Sequence, residues 1–510
     1  MSKQNGGIIG PDNVTTGGFN GVASGVFKLG EVTDLIRQSK WPEPSPFTNT
    51  VPNSVRFNSG SSDYLTKSFS TTGNRQKFTL SMWIKRGIVP VGNQSGTERM
   101  LFQAFQNSSN QDQIWLQSNG TINYVRNNAN AVTPSQVLRD SSAWYHLVFA
   151  GDTTQGSNAN RLKVYVNGTQ APIGQGDTIA QNSNFGAINN AQSYTFGKRN
   201  SNDWYFDGYM GNIEMVDGQQ YGPEYFGSFN ADSGIWTPVA TSSIAAYGTN
   251  GFKLAFANAG ALGTDTSGRG NTFTPNNLTS IDQTTDSPSN NFSTLNSLEY
   301  SGGGKTFSEG NTKQFLTGVS NFTRSSIGVA KGKWYCEVKL ISGTRAMYGI
   351  SSYLSNAASN YIGELGNTTV GYSYGIIGNT GRLYHAGSST ANWVSTFDNS
   401  NIIMLAMDLD NYKLYFGKNG TWERSGDPTS GSTGTGAYTI VAPSLSVTGF
   451  YHFAFGCNST GEDNTSEMNF GNPPFALSSA VTDGNGFGNF EYTVPTGYLS
   501  LCTNNLNILE

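Results

Sequence analysis

The sequence predicts an all-β chain: two antiparallel β-sandwich domains, with an extended N-terminal arm and a loop-rich connector. Three observations predict it. Charged residues make up only 13% of the 510, against roughly 25% in an average globular protein, while glycine (63) and aromatic residues (12%) are abundant. Short runs alternate apolar and polar residues with period two, which is the signature of half-buried strands. Asn-Gly pairs follow directly on several of these runs and supply the positive φ angles of tight hairpin turns. At 510 residues the chain also exceeds what one hydrophobic core normally serves, so more than one domain is expected.

Taken in order, residues 1–53 read as an arm. A Gly/Asn-rich stretch leads into GVFKLGEVTDLIRQSKW and then the Pro-rich WPEPSPF. Leu29, Val32, Leu35 and Ile36 have helical spacing, and a helix over 29–39 would end at Trp41-Pro42. Such a helix is too short to be stable alone. Leu35, Ile36 and Trp41 are therefore expected to dock, on another protein or a sister subunit, with packing on the arm's own first domain as the alternative.

Residues 54–220 carry the first set of strands. In FTLSMWI, Phe78, Leu80, Met82 and Ile84 face one way, as do Leu162, Val164 and Val166 in RLKVYVNG; Asn119-Gly120 and Asn167-Gly168 mark turns. The phrases FTLSMWIK, WYHLVFAGD, RLKVYVNGTQ and FDGYMGNIEMVDG, in that order, resemble the successive strands of a laminin-G or concanavalin A-like jelly roll. Residues 221–304 form the connector, whose strand-like feature is GFKLAFA. Asp265, Ser267, Gly268, Gly270 and Asn271 read as a turn in which side chains bond nearby backbone N–H groups; a calcium loop is the alternative, without the EF-hand spacing or terminal Glu.

Residues 305–476 form the second sandwich. GKWYCEVKL, MYGISS, VGYSYGIIG, IIMLAMDLDNYKLYFGKNGTW and HFAFGC follow one another in an order that resembles a SPRY (B30.2-like) domain. Residues 477–510 are a tail whose PTGYLSLCTNNL resembles the closing segment of phage proteins carrying SPRY modules, and the connector resembles linkers in phage structural proteins. These resemblances imply a bacteriophage virion protein of a tail or fibre, with the arm contacting other virion proteins and the sandwiches attaching to a host-surface glycan or protein. They also imply a homo-oligomer, expected to be a trimer. A purely architectural role in a tail, baseplate or capsid decoration is the second reading.

Several classes are disfavoured by chemistry. A formal charge of −4 without a basic stripe argues against nucleic acid. No run of about 20 apolar residues is long enough to span a bilayer, so no membrane insertion is expected. The start, MSKQNGGIIG, lacks an apolar secretory core, so synthesis in the host cytoplasm and residence in the virion are expected. Cys336, Cys457 and Cys502, odd in number and widely spaced, read as reduced and structural. His146, His385 and His452 each sit in strand-like aromatic runs and read as structural. Retaining glycosidases need two carboxyls about 5–5.5 Å apart. The nearest pair here, Glu214 and Asp217, points to opposite faces of its strand, and Glu337 is alone in its own. No enzyme is predicted, and polysaccharide hydrolysis is the least favoured alternative.

Sugar recognition needs aromatic faces for the apolar side of a pyranose, with amides and hydroxyls for its edges. The loops that combine them nominate Asn202, Trp204 and Tyr205, then Tyr384, His385 and Trp393, and Trp422; the SPRY resemblance implies loops 351–368 and 385–400. Laminin-G-like modules often hold calcium at a loop rim, but no acidic cluster here is assignable to it, so no cofactor or metal is assigned.

Overall fold

A computed structural model of the chain describes residues 51–87, 98–176, 179–230, 233–241, 243–299, 304–318, 320–353, 361–363, 372–458 and 461–509. The arm residues Leu35, Ile36 and Trp41 lie outside the described residues, as does most of the 351–368 loop.

The first sandwich packs two eight-stranded sheets face to face. The front sheet runs Thr169–Gln170, Leu162–Val166, Trp144–Asp152, Lys77–Arg86, Gly208–Asp217, Ser54–Phe57, Gln283–Thr284, with Phe252–Leu254 also paired to Gly208–Asp217. The back sheet runs Ile173–Gly176, Ala129–Pro134, Ile122–Arg126, Asn110–Leu116, Arg99–Asn107, Ser193–Phe196, Tyr64–Ser68, Thr274–Asn276. Period-two alternation sets the register: Phe78, Leu80, Met82 and Ile84 meet Leu162, Val164 and Val166 in one core with Phe102, Ile114, Tyr124 and Phe149. Each such fully buried side chain contributes about 1.5–3 kcal/mol. The hairpin at Asn167-Gly168 has both residues at positive φ (47° and 77°), which matches the right-handed twist of its strands.

The connector is not a free-standing linker. Its strands Phe252–Leu254, Thr274–Asn276 and Gln283–Thr284 complete both sheets of the first sandwich. Phe226, Ile244 and Tyr247 cover the outer face of the front sheet over Val148 and Val216. Asp265 forms a turn: its carboxylate accepts from the backbone N–H groups of Lys253, Ser267 and Asn271.

The second sandwich pairs a nine-stranded sheet, centred on Lys333–Ser342 and Ile402–Asp408, with a six-stranded sheet centred on Ala346–Ser351 and His452–Cys457. The C-terminal segment is part of it. Leu499–Ser500 lies parallel beside Lys333–Ser342, and Phe490, Val494 and Tyr498 cover the outer face at Tyr335, Met404 and Tyr415. Glu337 holds this layer down by accepting from the Glu491 and Tyr492 backbone N–H groups (2.9 and 2.8 Å), Asn469 Nδ2 and the Tyr335 hydroxyl.

Buried polar groups join the two sandwiches. Lys85 Nζ, fully buried, donates to Asp286 Oδ2 (2.8 Å), Asn291 Oδ1 (2.7 Å) and the Phe292 carbonyl (2.9 Å). Asp286 in turn accepts from Trp144 Nε1 and Asn472 Nδ2. Arg56 bonds Glu309 and the carbonyls of Ile281 and Pro473, while Asn311 Nδ2 donates to the Gly87 carbonyl and the Tyr209 hydroxyl to that of Gly310.

Candidate functional site

The hydrolytic possibilities resolve first. Ser81 Oγ lies 2.8 Å from His146 Nε2, a spacing found in nucleophile pairs, but the third partner is Trp236 Nε1, 3.1 Å from His146 Nδ1. An indole N–H only donates, so Nδ1 must accept. Burial pushes the His146 pKa down to about 3, and the neutral ring then carries its proton on Nε2 and donates it to Ser81. A histidine in that tautomer cannot take the serine proton. Both residues are also fully buried.

Carboxylates fare similarly. Glu214 faces outward beneath the connector, accepting from Asn212 Nδ2 (2.7 Å) and the Tyr247 hydroxyl (2.5 Å). Asp217, buried among the loops at the strand end, accepts from the backbone N–H groups of Asn74, Thr249 and Asn250. Among the described residues no group of three or more His, Cys, Asp or Glu side chains forms a metal-binding cluster. None of the three cysteines is in a disulfide with a described residue, and all three are buried.

The aromatic residues nominated from the sequence fall in separate places. Trp204 packs against Trp115 (centroids 5.4 Å) under the Arg199 guanidinium (3.9 Å), which is itself paired with Asp203; Tyr205 is half-buried beside it and Asn202 Oδ1 receives Lys198 Nζ. Trp422 does not join the Tyr384 loop, because it packs on Tyr335 and Tyr415 (both 6.4 Å) over the outer face of the nine-stranded sheet. Tyr384 and His385 are consecutive strand residues and point to opposite faces. Tyr384 meets Tyr361 (5.5 Å), whereas His385 stacks on Tyr374 (4.3 Å). Within the Tyr384 loop, His385 and Trp393 are brought together through Tyr438.

A cleft that the sequence reading missed lies at the lip of the front sheet. It encloses about 570 Å³ between the Gln136–Leu138 loop, Trp144 and Tyr145, the Asn167 turn, and the hairpin formed by Gly227–Phe229 and Trp236–Pro238. Phe229 (55% exposed) and Ile235 (58%) form its outer wall. Trp236 is held in a stack: His146 lies between its ring and Trp83, at 6.0 and 4.5 Å. Two glycines make room for the indole, since a Cβ at Gly168 would fall 2.3 Å and one at Gly227 2.5 Å from it. Gln136 Oε1 is buried here without a partner, and Asn167 Oδ1 accepts from the His146 backbone N–H. The signal available in the sequence was GSFNADSGIWTP, in which two aromatics flank a turn inside the connector.

Residues 58–219 match a family described as the Concanavalin A-like lectin/glucanases superfamily. The match covers the strand that carries Trp144 and Tyr145 and the turn at Asn167. No curated protein matches the chain. Solved structures similar to parts of it include the SPRY domain of human HERC1 (13% identity, 31% of this chain and 87% of that one, TM-score 0.23). The native heptameric SAP-like pentraxin from Limulus polyphemus (15%, 34% and 79%, 0.26) and a human SPRY domain (18%, 31% and 90%, 0.21) are also similar.

Proposed function

We propose that the chain is a bacteriophage virion protein of a tail or fibre whose sandwiches attach the particle to a host-surface glycan and perform no reaction. The carrying observation is the cleft walled by Trp144, Tyr145, Phe229 and Trp236 with the amides of Gln136 and Asn167 inside it. It supplies flat apolar faces and two amide side chains, of which Gln136 Oε1 has no partner, and no charged residue lines it. The concanavalin A-like match supports the reading. The virion assignment is supported by the composition and by the phage-like connector and tail of the sequence. A neutral, spent Ser81–His146 pair and carboxylates committed to structural hydrogen bonds favour binding over hydrolysis.

A second reading, in which the modules only contact other virion proteins through a homo-oligomeric assembly, is favoured by one feature: the exposed apolar loop with Leu445 (67% exposed), Val447 (63%) and Phe450 (49%). One experiment separates the two. Excess soluble protein added to host cells before phage should reduce adsorption, and Phe229→Ala protein should not. If neither protein competes, the attachment reading fails and the architectural one stands. New reducing ends released from host envelope polysaccharide would defeat both in favour of hydrolysis.

A further inference from the structure

The second sandwich carries a row of side chains with different chemistry. Glu423–Ser425 is a turn in which Arg424 and Ser425 both have left-handed backbone (φ 58° and 51°), a costly conformation for non-glycine residues. It places the Arg424 guanidinium 4.1 Å from the Trp393 ring centroid. Trp393 meets Tyr438 edge-on at 5.2 Å, Tyr438 lies 5.9 Å from His385, and His385 stacks on Tyr374 with 9° between planes.

Their polar capacity is largely unspent. Arg424 is exposed and makes no ion pair or side-chain hydrogen bond with any described residue. The neighbouring acids are committed: Glu423 accepts from Ser395 Oγ, and Asp398 from the Ser400 backbone and hydroxyl. His385 Nδ1 donates to the Ser373 carbonyl (3.3 Å), so Nε2 keeps its lone pair. A guanidinium fork matches a carboxylate in two parallel hydrogen bonds, and the half-buried Trp393, Tyr438 and His385 adjoin it.

We propose that Arg424, Trp393, Tyr438 and His385 form a second ligand site, specific for an acidic sugar whose carboxylate pairs with Arg424. The aromatic half of this site rests on the glycan-binding reading above, but the site is separate from the uncharged first cleft and is tested separately. Calorimetry on the full chain would compare tetragalacturonate with the same tetramer after reduction of its carboxyls to alcohols. The acid is expected to bind about ten- to a hundredfold tighter, the range for a hydrogen-bonded charge pair. Arg424→Asn removes the cation while keeping a residue that tolerates left-handed backbone, so the fold is preserved. It should bring the two affinities within about threefold. Phe229→Ala, in the first cleft, should leave the preference intact while weakening neutral glycans. Equal binding of both tetramers, no binding of the acid at millimolar concentration, a preference that survives Arg424→Asn, or one abolished by Phe229→Ala would each overturn the second site. Failure of the first cleft alone shows instead as neutral-glycan binding that Phe229→Ala does not change.

Discussion

Replacing Lys85 with Met is the sharpest test of how the sandwiches are held together. The ammonium is fully buried and its pKa is lowered, chiefly by that burial, with Asp286 opposing. Breaking a buried ion pair by removing one partner costs about 3–5 kcal/mol. Methionine nearly conserves volume, so the cavity contribution is small. Two acceptors, Asn291 Oδ1 and the Phe292 carbonyl, lose a charged donor, while Asp286 keeps Trp144, Asn472 and the Phe292 backbone N–H and so stays partly compensated. The expectation for Lys85→Met is a loss of about 3–5 kcal/mol, or a midpoint lowered by about 6–20 °C at the 2–4 °C per kcal/mol typical of a single sandwich of about 150–250 residues. Urea unfolding followed by tryptophan fluorescence and circular dichroism reads it, and because Asp286 touches Asn472 of the second sandwich, both probes should shift together. Asp286→Asn in the same background should cost about 2 kcal/mol less than in the wild type, since the two residues form one network. A loss below about 1 kcal/mol for Lys85→Met would refute the inference that this pair staples the modules.

Other outcomes follow from the same geometry. Phe229→Ala should lower glycan affinity by about tenfold at unchanged midpoint, because the ring is a cleft wall and more than half exposed. Gly168→Ala should cost both binding and about 1–3 kcal/mol of stability, since its φ is 77° and the new Cβ would strike Trp236; unchanged tryptophan emission would contradict this. Burial depresses the His146 pKa from 6.5 to about 3, so the unfolded chain binds the extra proton between those values and stability falls as pH drops through them. The wild type should therefore lose more stability than His146→Phe between pH 6.5 and 3. Asp207 is shifted oppositely, from 3.8 to about 7, chiefly by burial, so its ionisation penalises the fold as pH rises from about 4 through 7. Asp207→Asn should be near neutral at pH 4 and stabilising at pH 8 by at most about 4 kcal/mol, measured by urea unfolding at both values.

Strand order was legible wherever alternation and a turn signal coincided. Phe78 to Ile84 and Leu162 to Val166 entered the same core, and Asn167-Gly168 and Asn419-Gly420 took the left-handed angles their composition requires. Pairing across long separations was not legible. Ser54–Phe57 pairs with Gln283–Thr284, more than 220 residues away, through two-residue contacts that leave no local period. That is why the connector read as a linker although its strands close both sheets. The candidate site suffered from the same gap. Trp144 and Trp236 are 92 positions apart, and only the fold places them on one cleft, whereas Tyr384 and His385, adjacent in sequence, are parted by the pleat.

The connector's cover also decides what the first sandwich can do. An open sheet face flanked by Glu214 and His146 would present an acid and a base to any chain laid across it. Here Tyr247 and Lys253 take the Glu214 carboxylate, and Trp236 takes the lone pair of His146 Nδ1. Each capping contact comes from residues 221–254, the segment that follows the matched family stretch. The indole that fixes the imidazole in a tautomer unable to act as base is also the inner wall of the cleft. On the proposed reading, the same side chain keeps His146 from acting as a base and walls the cleft. Trp236→Ala should free His146 Nδ1 and abolish the cleft together, so a variant that lost glycan affinity and gained no hydrolysis would show that the capped pair is structural by design of the whole layer and not by the tryptophan alone.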